Sequence, residues 1–301
     1  MRAVLPRGGA LRRSSPVLRA IALPLGALLL LSACGPSQDP DRTPSSSPSP
    51  TATIQRDPLA DLESSTWSVT NREQLLEAPI SPEGDVDTAA WEKDGIDDAT
   101  IRSIQEGIAD YVATAFLDPE ALRGDSAEKA ERIVTDSAPA VWKDKLPDRF
   151  GPDKRYFSAT QFAKPFRLVG SPQAAMTWYL ADKGSDHTVD LGGSIAYTVI
   201  DTETLAIGVY AVRIGVEVTA SNDSDPIGAA TMSITVHGLD VCRSIEEKGL
   251  VVPALRDKYE QREAQQKTLA TVIADPTVPQ SDIADENGMS ADLSTIYDSG
   301  C

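Results

Sequence analysis

The chain has 301 residues, 41% hydrophobic and only 5% aromatic, enough for one large domain or two small ones around a mainly aliphatic core. Its 45 acidic residues outnumber 28 basic ones, for a formal charge of −17. A body of that sign is repelled by nucleic-acid phosphates and anionic lipid headgroups, which excludes nucleic-acid binding, and the same charge keeps a surface protein soluble.

The charges before position 39 are all arginines, Arg2, Arg7, Arg12, Arg13 and Arg19. Residues 20–31 form an uninterrupted apolar run. A helix of that length spans about 18 Å, well short of a bilayer core of roughly 30 Å, so the run reads as the apolar part of a signal peptide and not as a membrane span. Leu31-Ser32-Ala33-Cys34 follows. A leucine, two small residues and a cysteine behind such a leader resemble the lipobox of bacterial lipoproteins. The resemblance implies that residues 1–33 are removed and that the Cys34 thiol carries a diacylglyceryl group. It also implies a palmitate-type lipid anchor on the extracytoplasmic face of the cell membrane. Cysteine suits the step because its thiolate is the nucleophile. Stable anchoring takes two acyl chains, each buried methylene contributing about 0.8 kcal/mol. Arg12-Arg13 is followed by Ser14, Ser15 and Pro16, which departs from the twin-arginine export motif. The remaining chain holds 23 basic and 45 acidic residues, a charge of −22.

Residues 34–58 read as a tether. Pro36, Pro40, Pro44 and Pro48 recur every fourth residue, with Ser45, Ser46, Ser47 and Ser49 between and beside them. Such a segment has little to bury and is expected to stay extended, residues 35–57 spanning about 26 Å as a flexible coil and about 70 Å as polyproline II.

Residues 59–243 are expected to fold as an α+β domain, N-terminal helices packed on a curved antiparallel sheet. Thr66 to Thr70 suggests a short strand, Arg72 to Ala78 a helical turn stopped by Pro79, and Ser81 to Gly95 an acidic loop. Asp97 or Asp98 can cap a helix whose Ile101, Ile104, Ile108, Tyr111, Val112 and Ala115 share one face. Asp118-Pro119 should end it and start another short helix. Ser126 caps a helix bearing Ala130, Ile133 and Val134, and Ser137 opens a last one with Val141, Trp142 and Leu146. Beyond Tyr156 the period changes from 3.6 to 2. Met176, Trp178 and Leu180 alternate with polar residues, as do Ile195, Tyr197 and Val199. In Leu205 to Ala220 the apolar phase shifts between Val209 and Tyr210, beside Gly208, which predicts a β-bulge there. Gly228 to Cys242 forms the next strand. Matching apolar faces puts Ile214 opposite Val236, Val216 opposite Ile234 and Arg213 opposite His237. Residues 244–301 form a C-terminal extension, with a polar helix from Pro253 to Ala274 and an irregular acidic tail. Helices followed by a meander resemble the NTF2-like or cystatin-like arrangement over residues 97–242, in element order alone.

Few residues carry a chemical signal. His187 reads as a solvated turn histidine. Arg213, Glu217 and His237, with Ser233 and Thr235, fall on the polar face of the strands, with Arg213 and Glu217 in reach of an ion pair. That face is the one candidate for a small-molecule or acid/base site. Ser126-Ala127-Glu128-Lys129 fits S-x-x-K without a K-T-G partner, so Ser126 is expected to be a helix cap. Asp285 to Gly288 resembles part of a calcium loop but lacks its end ligands. No Cys/His cluster exists, so no metal or cofactor is expected. With Cys34 lipidated, Cys242 and Cys301 are left to pair, closing a loop of about 60 residues that the chain-entropy model values at roughly 4 kcal/mol. The expected protein is therefore a non-catalytic binding or envelope-assembly module, with an envelope protein or small ligand as its partner. The rival is an enzyme working around His237.

Overall fold

The computed structural model describes residues 58–82, 86–152, 154–223, 225–255, 269–277 and 289–290. The chain divides into two units, Met1–Ala52 and Thr53–Cys301, and every described residue lies in the second. Cys34, Cys301 and the Asp285–Gly288 segment lie outside the described residues.

The architecture is mixed α+β. Among the described residues five α-helices precede the long strands: α1 (Arg72–Leu76), α2 (Thr88–Lys93), α3 (Asp98–Val112), α4 (Ala127–Ser137) and α5 (Ala140–Lys143). The strands are β1 (Ile80–Pro82), β2 (Phe166–Leu168), β3 (Gln173–Lys183), β4 (Asp186–Asp201), β5 (Ile207–Ala220), β6 (Ile227–His237) and β7 (Met289–Ser290), with α6 (Val241–Glu246) after β6. They form one open sheet in the order β1-β3-β4-β5-β6-β7, and β2 adds to β4. The sheet is mixed because β1 runs parallel to β3, whereas β3 to β6 form an antiparallel meander.

Capping starts the helices as the sequence predicts. Asp97 accepts from the Thr100 N–H at 2.8 Å and Ser126 from the Lys129 N–H at 3.3 Å, satisfying amides that lack helical partners. Ile101, Ile104, Ile108, Tyr111 and Val112 of α3 are buried, and α3 packs on β4 and β5. Each such side chain contributes about 1.5–3 kcal/mol on burial.

The short helix expected to start at Pro119 does not form. Residues 119–124 are turns held by the Asp118 carboxylate and ended at Gly124 with φ +72°, a span too short to nucleate a helix. Ser137 closes α4, donating back to the Val134 carbonyl at 2.8 Å, and α5 opens from Pro139. The expected acidic loop contains β1 and α2. Asp87 caps α2, and the fully buried Trp91 supplies the apolar anchor that makes this short helix worth ordering. Pro253 bridges Leu239, so no helix starts there; residues 269–274 are helical.

In the meander, Trp178, Leu191, Val212, Ile214, Val216 and Ile234 lie on the helix-facing side and are buried. The bulge expected at Val209-Tyr210 is absent, since β4 and β5 pair without a slip from Thr188↔Thr219 to Ile200↔Ile207. The phase change has another cause. At this end of the sheet the second face is covered as well: Leu59, Trp67, Ala175 and Ala196 form a small cluster against which Val209 and Ile273 pack. The slip lies at Thr219/Ala220, next to the β5–β6 turn.

Candidate functional site

The turn chemistry fixes where the polar residues go. Ser221 donates to the Pro226 carbonyl at 2.9 Å, closing the β5–β6 turn. Together with the slip at Thr219/Ala220 this sets Ile214 opposite Ile234, Val216 opposite Met232 and Arg213 opposite Thr235, while His237 faces Ala211. The predicted register is thus displaced by two residues. A two-residue shift preserves the faces, so Arg213, Glu217 and His237 still share one side of the sheet.

That side is closed over Arg213. The helical residues 269–274 and the turn after them lie against it. Arg213 donates to the Asp275 carbonyl, Ser194 Oγ donates to the Pro276 carbonyl at 2.8 Å, and Val272 is buried. Arg213 is 3% exposed and His237 4%. Burial, with the Arg213 cation nearby, pushes the His237 imidazolium pKa down to about 4. His237 is therefore neutral at neutral pH and a weak base, far from the near-neutral pKa that suits general base catalysis. Burial also lowers the Arg213 pKa. Glu217 does not pair with Arg213 as expected. The charge it meets is Lys183, whose ammonium also lies 3.6 Å from the buried Asp190 carboxylate. Lys183, at the end of β3, carries no signal in the sequence, because nothing local to it marks the cross-strand partners. Among the described residues no group of three or more His, Cys, Asp or Glu side chains is arranged to hold a metal ion.

No family model, curated protein or solved structure matches this chain.

A second cluster lies at the sheet end that carries the β3–β4 hairpin. Gly184, with φ +70°, and Ser185 form its two-residue turn, which sets Asp182 opposite His187. Asp182 Oδ1 accepts from His187 Nδ1 at 2.8 Å and from the Trp91 indole N–H at 2.7 Å. His187 Nε2 lies 3.0 Å from Asp94 Oδ2, and the imidazole sits over Trp91 with ring centroids 4.7 Å apart. The Asn222 amide donates to the Asp94 carbonyl at 3.0 Å, bringing in the β5–β6 turn. Burial of the ring is outweighed by the hydrogen bonds to Asp94 and Asp182, so the His187 pKa is raised, and the hydrogen bond from His187 leads in lowering that of Asp182. His187 is therefore not a solvated turn residue. No local spacing signals the cluster, because its members come from α2, the hairpin and the β5–β6 turn.

Among the described residues, a cleft of about 240 Å³ between α5 and β6 is lined by Trp142, Leu146, Met232, Lys145 and Arg149. Another, of about 430 Å³, is lined by Glu128, Arg155, Glu246 and Lys248. Concave sites of this size suit a small ligand or a partner's side chain.

Proposed function

We propose that this chain is a membrane-anchored extracytoplasmic lipoprotein whose folded body serves as a non-catalytic binding or envelope-assembly module. The observation that carries the reading is Cys34 at the end of Leu31-Ser32-Ala33-Cys34, behind an arginine-only leader and an apolar run too short to span a bilayer. Among the described residues no helix is long and apolar enough to cross a membrane, which is compatible with an anchor made of lipid. The Pro/Ser-rich residues 34–58 then act as a spacer that lets the body stand clear of the surface. An anionic body tethered near anionic headgroups is held off them by charge as well.

The polar sheet face supports binding over catalysis. Its most reactive candidate, His237, is almost fully buried and has little proton affinity, and Arg213 is engaged by the chain's own residues 269–277. The cleft between α5 and β6 is lined by both apolar and basic side chains, the ordinary equipment of a recognition surface. We also assign the helices and meander to an NTF2-like arrangement, on the order of elements: α3 and α4 before β3, β4, β5 and β6. The anchor is tested by expressing Cys34→Ala beside the parent chain and fractionating the cells. The parent should stay with the membrane through a high-salt wash and the variant should not; equal retention of both would refute the lipid anchor.

A further inference from the structure

Both nitrogens of the His187 ring face carboxylate oxygens, Asp182 Oδ1 at 2.8 Å and Asp94 Oδ2 at 3.0 Å. An ionised carboxylate only accepts hydrogen bonds, and a neutral imidazole has one N–H to give. Two such contacts therefore require a proton on each nitrogen. We propose that His187 is an imidazolium clasp that fastens the β3–β4 hairpin to α2, and that this end of the molecule loosens when the ring loses its proton.

The clasp joins elements that are distant in the chain. Asp94 is the C-terminal cap of α2, Asp182 and His187 flank the hairpin turn, and Asn222 brings the β5–β6 turn onto the Asp94 carbonyl. Trp91 is the shared floor: its ring lies under the imidazole and its indole N–H shares Asp182 Oδ1. Among the described residues the other titratable groups on these elements are Asp87, Glu92 and Lys93 around α2, Lys183 and Asp186 at the hairpin, and Asp223 and Asp225 in the β5–β6 turn. Of these Lys183 is committed to Glu217 and Asp190. The surroundings are net acidic, which favours the charged ring.

Removing the proton turns one N–H···O contact into a nitrogen lone pair facing a carboxylate. The raised pKa sets the direction. The contact is complete below the ordinary histidine value of about 6.5 and is lost as pH rises through the higher folded value. Opening would begin with α2 and the hairpin tip, while the paired interiors of β3 and β4 hold.

The chain has two histidines, so ring titration by NMR is simple to read. We expect the His187 ring to titrate with a midpoint above 6.5 and the Trp91 indole N–H signal to move with the same midpoint. Asp94 is 67% exposed, so Asp94→Asn should fold normally and bring the His187 midpoint down. Hydrogen-exchange protection of amides 182–187, corrected for intrinsic rates, should fall about tenfold across that midpoint in the parent and stay level in His187→Gln, a loss the size of one charged hydrogen bond. A His187 midpoint at or below 6.5, or a Trp91 signal that does not follow the ring, would overturn the proposal.

Discussion

Gly193 of β4 and Ala175 of β3 approach so closely that a Cβ on Gly193 would lie 2.1 Å from the Ala175 carbonyl oxygen and 2.8 Å from Met176 Sδ. The two strands can keep their long ladder through this point only because position 193 has no side chain. The ladder matters beyond itself, since β4 also aligns Ser194 with Arg213 and Asp190 with Glu217 on the polar face.

Gly193→Ala should therefore destabilise the body by at least about 2 kcal/mol, the upper range of overpacking costs, because the obstacle is main chain and not a flexible side chain. Urea unfolding of the purified body, comparing midpoints at equal slope, measures this.

His237 should make the body acid-sensitive. Its folded pKa of about 4 lies below the ordinary value of about 6.5, so the folded state holds the proton less tightly than the unfolded one. The sign follows: there is no penalty above pH 6.5, and stability falls as pH drops from 6.5 towards 4, by on the order of 3 kcal/mol in full. His237→Gln should flatten that part of the stability–pH curve, measured as a difference between the two proteins. Arg213→Met should raise the His237 midpoint by removing the nearby charge, with burial still holding it below 6.5.

Lys183 is the cation between the buried Asp190 and Glu217, and it is 40% exposed. Lys183→Met should cost about 1–2 kcal/mol, less than the 3–5 typical of a fully buried pair because water reaches the ammonium. Asp190→Asn combined with Lys183→Met should recover part of the loss; a double-mutant cycle on thermal unfolding reads the coupling.

Cys242 is the second residue of α6, directly after the buried Val241, and its proposed partner Cys301 lies outside the described residues. If they pair, native protein should resist thiol labelling at both positions, and reduction should lower stability by up to roughly 4 kcal/mol, the chain-entropy value for a loop of about 60 residues. Labelling of both thiols in native, unreduced protein would rule the bridge out.

Much of the scaffold was readable because its signals are local. Asp97 and Ser126 declare helix starts through their own side chains, and the alternation in Met176, Trp178 and Leu180 declares a strand. The misreadings came where a distant segment decides. Ile207 and Val209 looked like a slip in phase, because a single strand cannot reveal that Leu59, Trp67 and Ile273 cover its second face. The β5–β6 register went astray by two residues, because it depends on how Ser221 and Pro226 close the turn. The candidate site was legible only as a face. Arg213, Glu217 and His237 share it, but the cover from residues 269–277 and the claim of Lys183 on Glu217 are tertiary facts. His187 reads as a solvated turn residue in the sequence for the same reason: Trp91 and Asp94, which define its surroundings, lie more than ninety residues away in the chain.

Mass spectrometry of the N-terminal peptide from membrane-extracted protein tests the lipid anchor on Cys34 most directly. The expected result is a mature chain that begins at Cys34, heavier than its sequence by a diacylglyceryl group with or without a third acyl chain. An unmodified Cys34, or a mature chain that begins elsewhere, would contradict it.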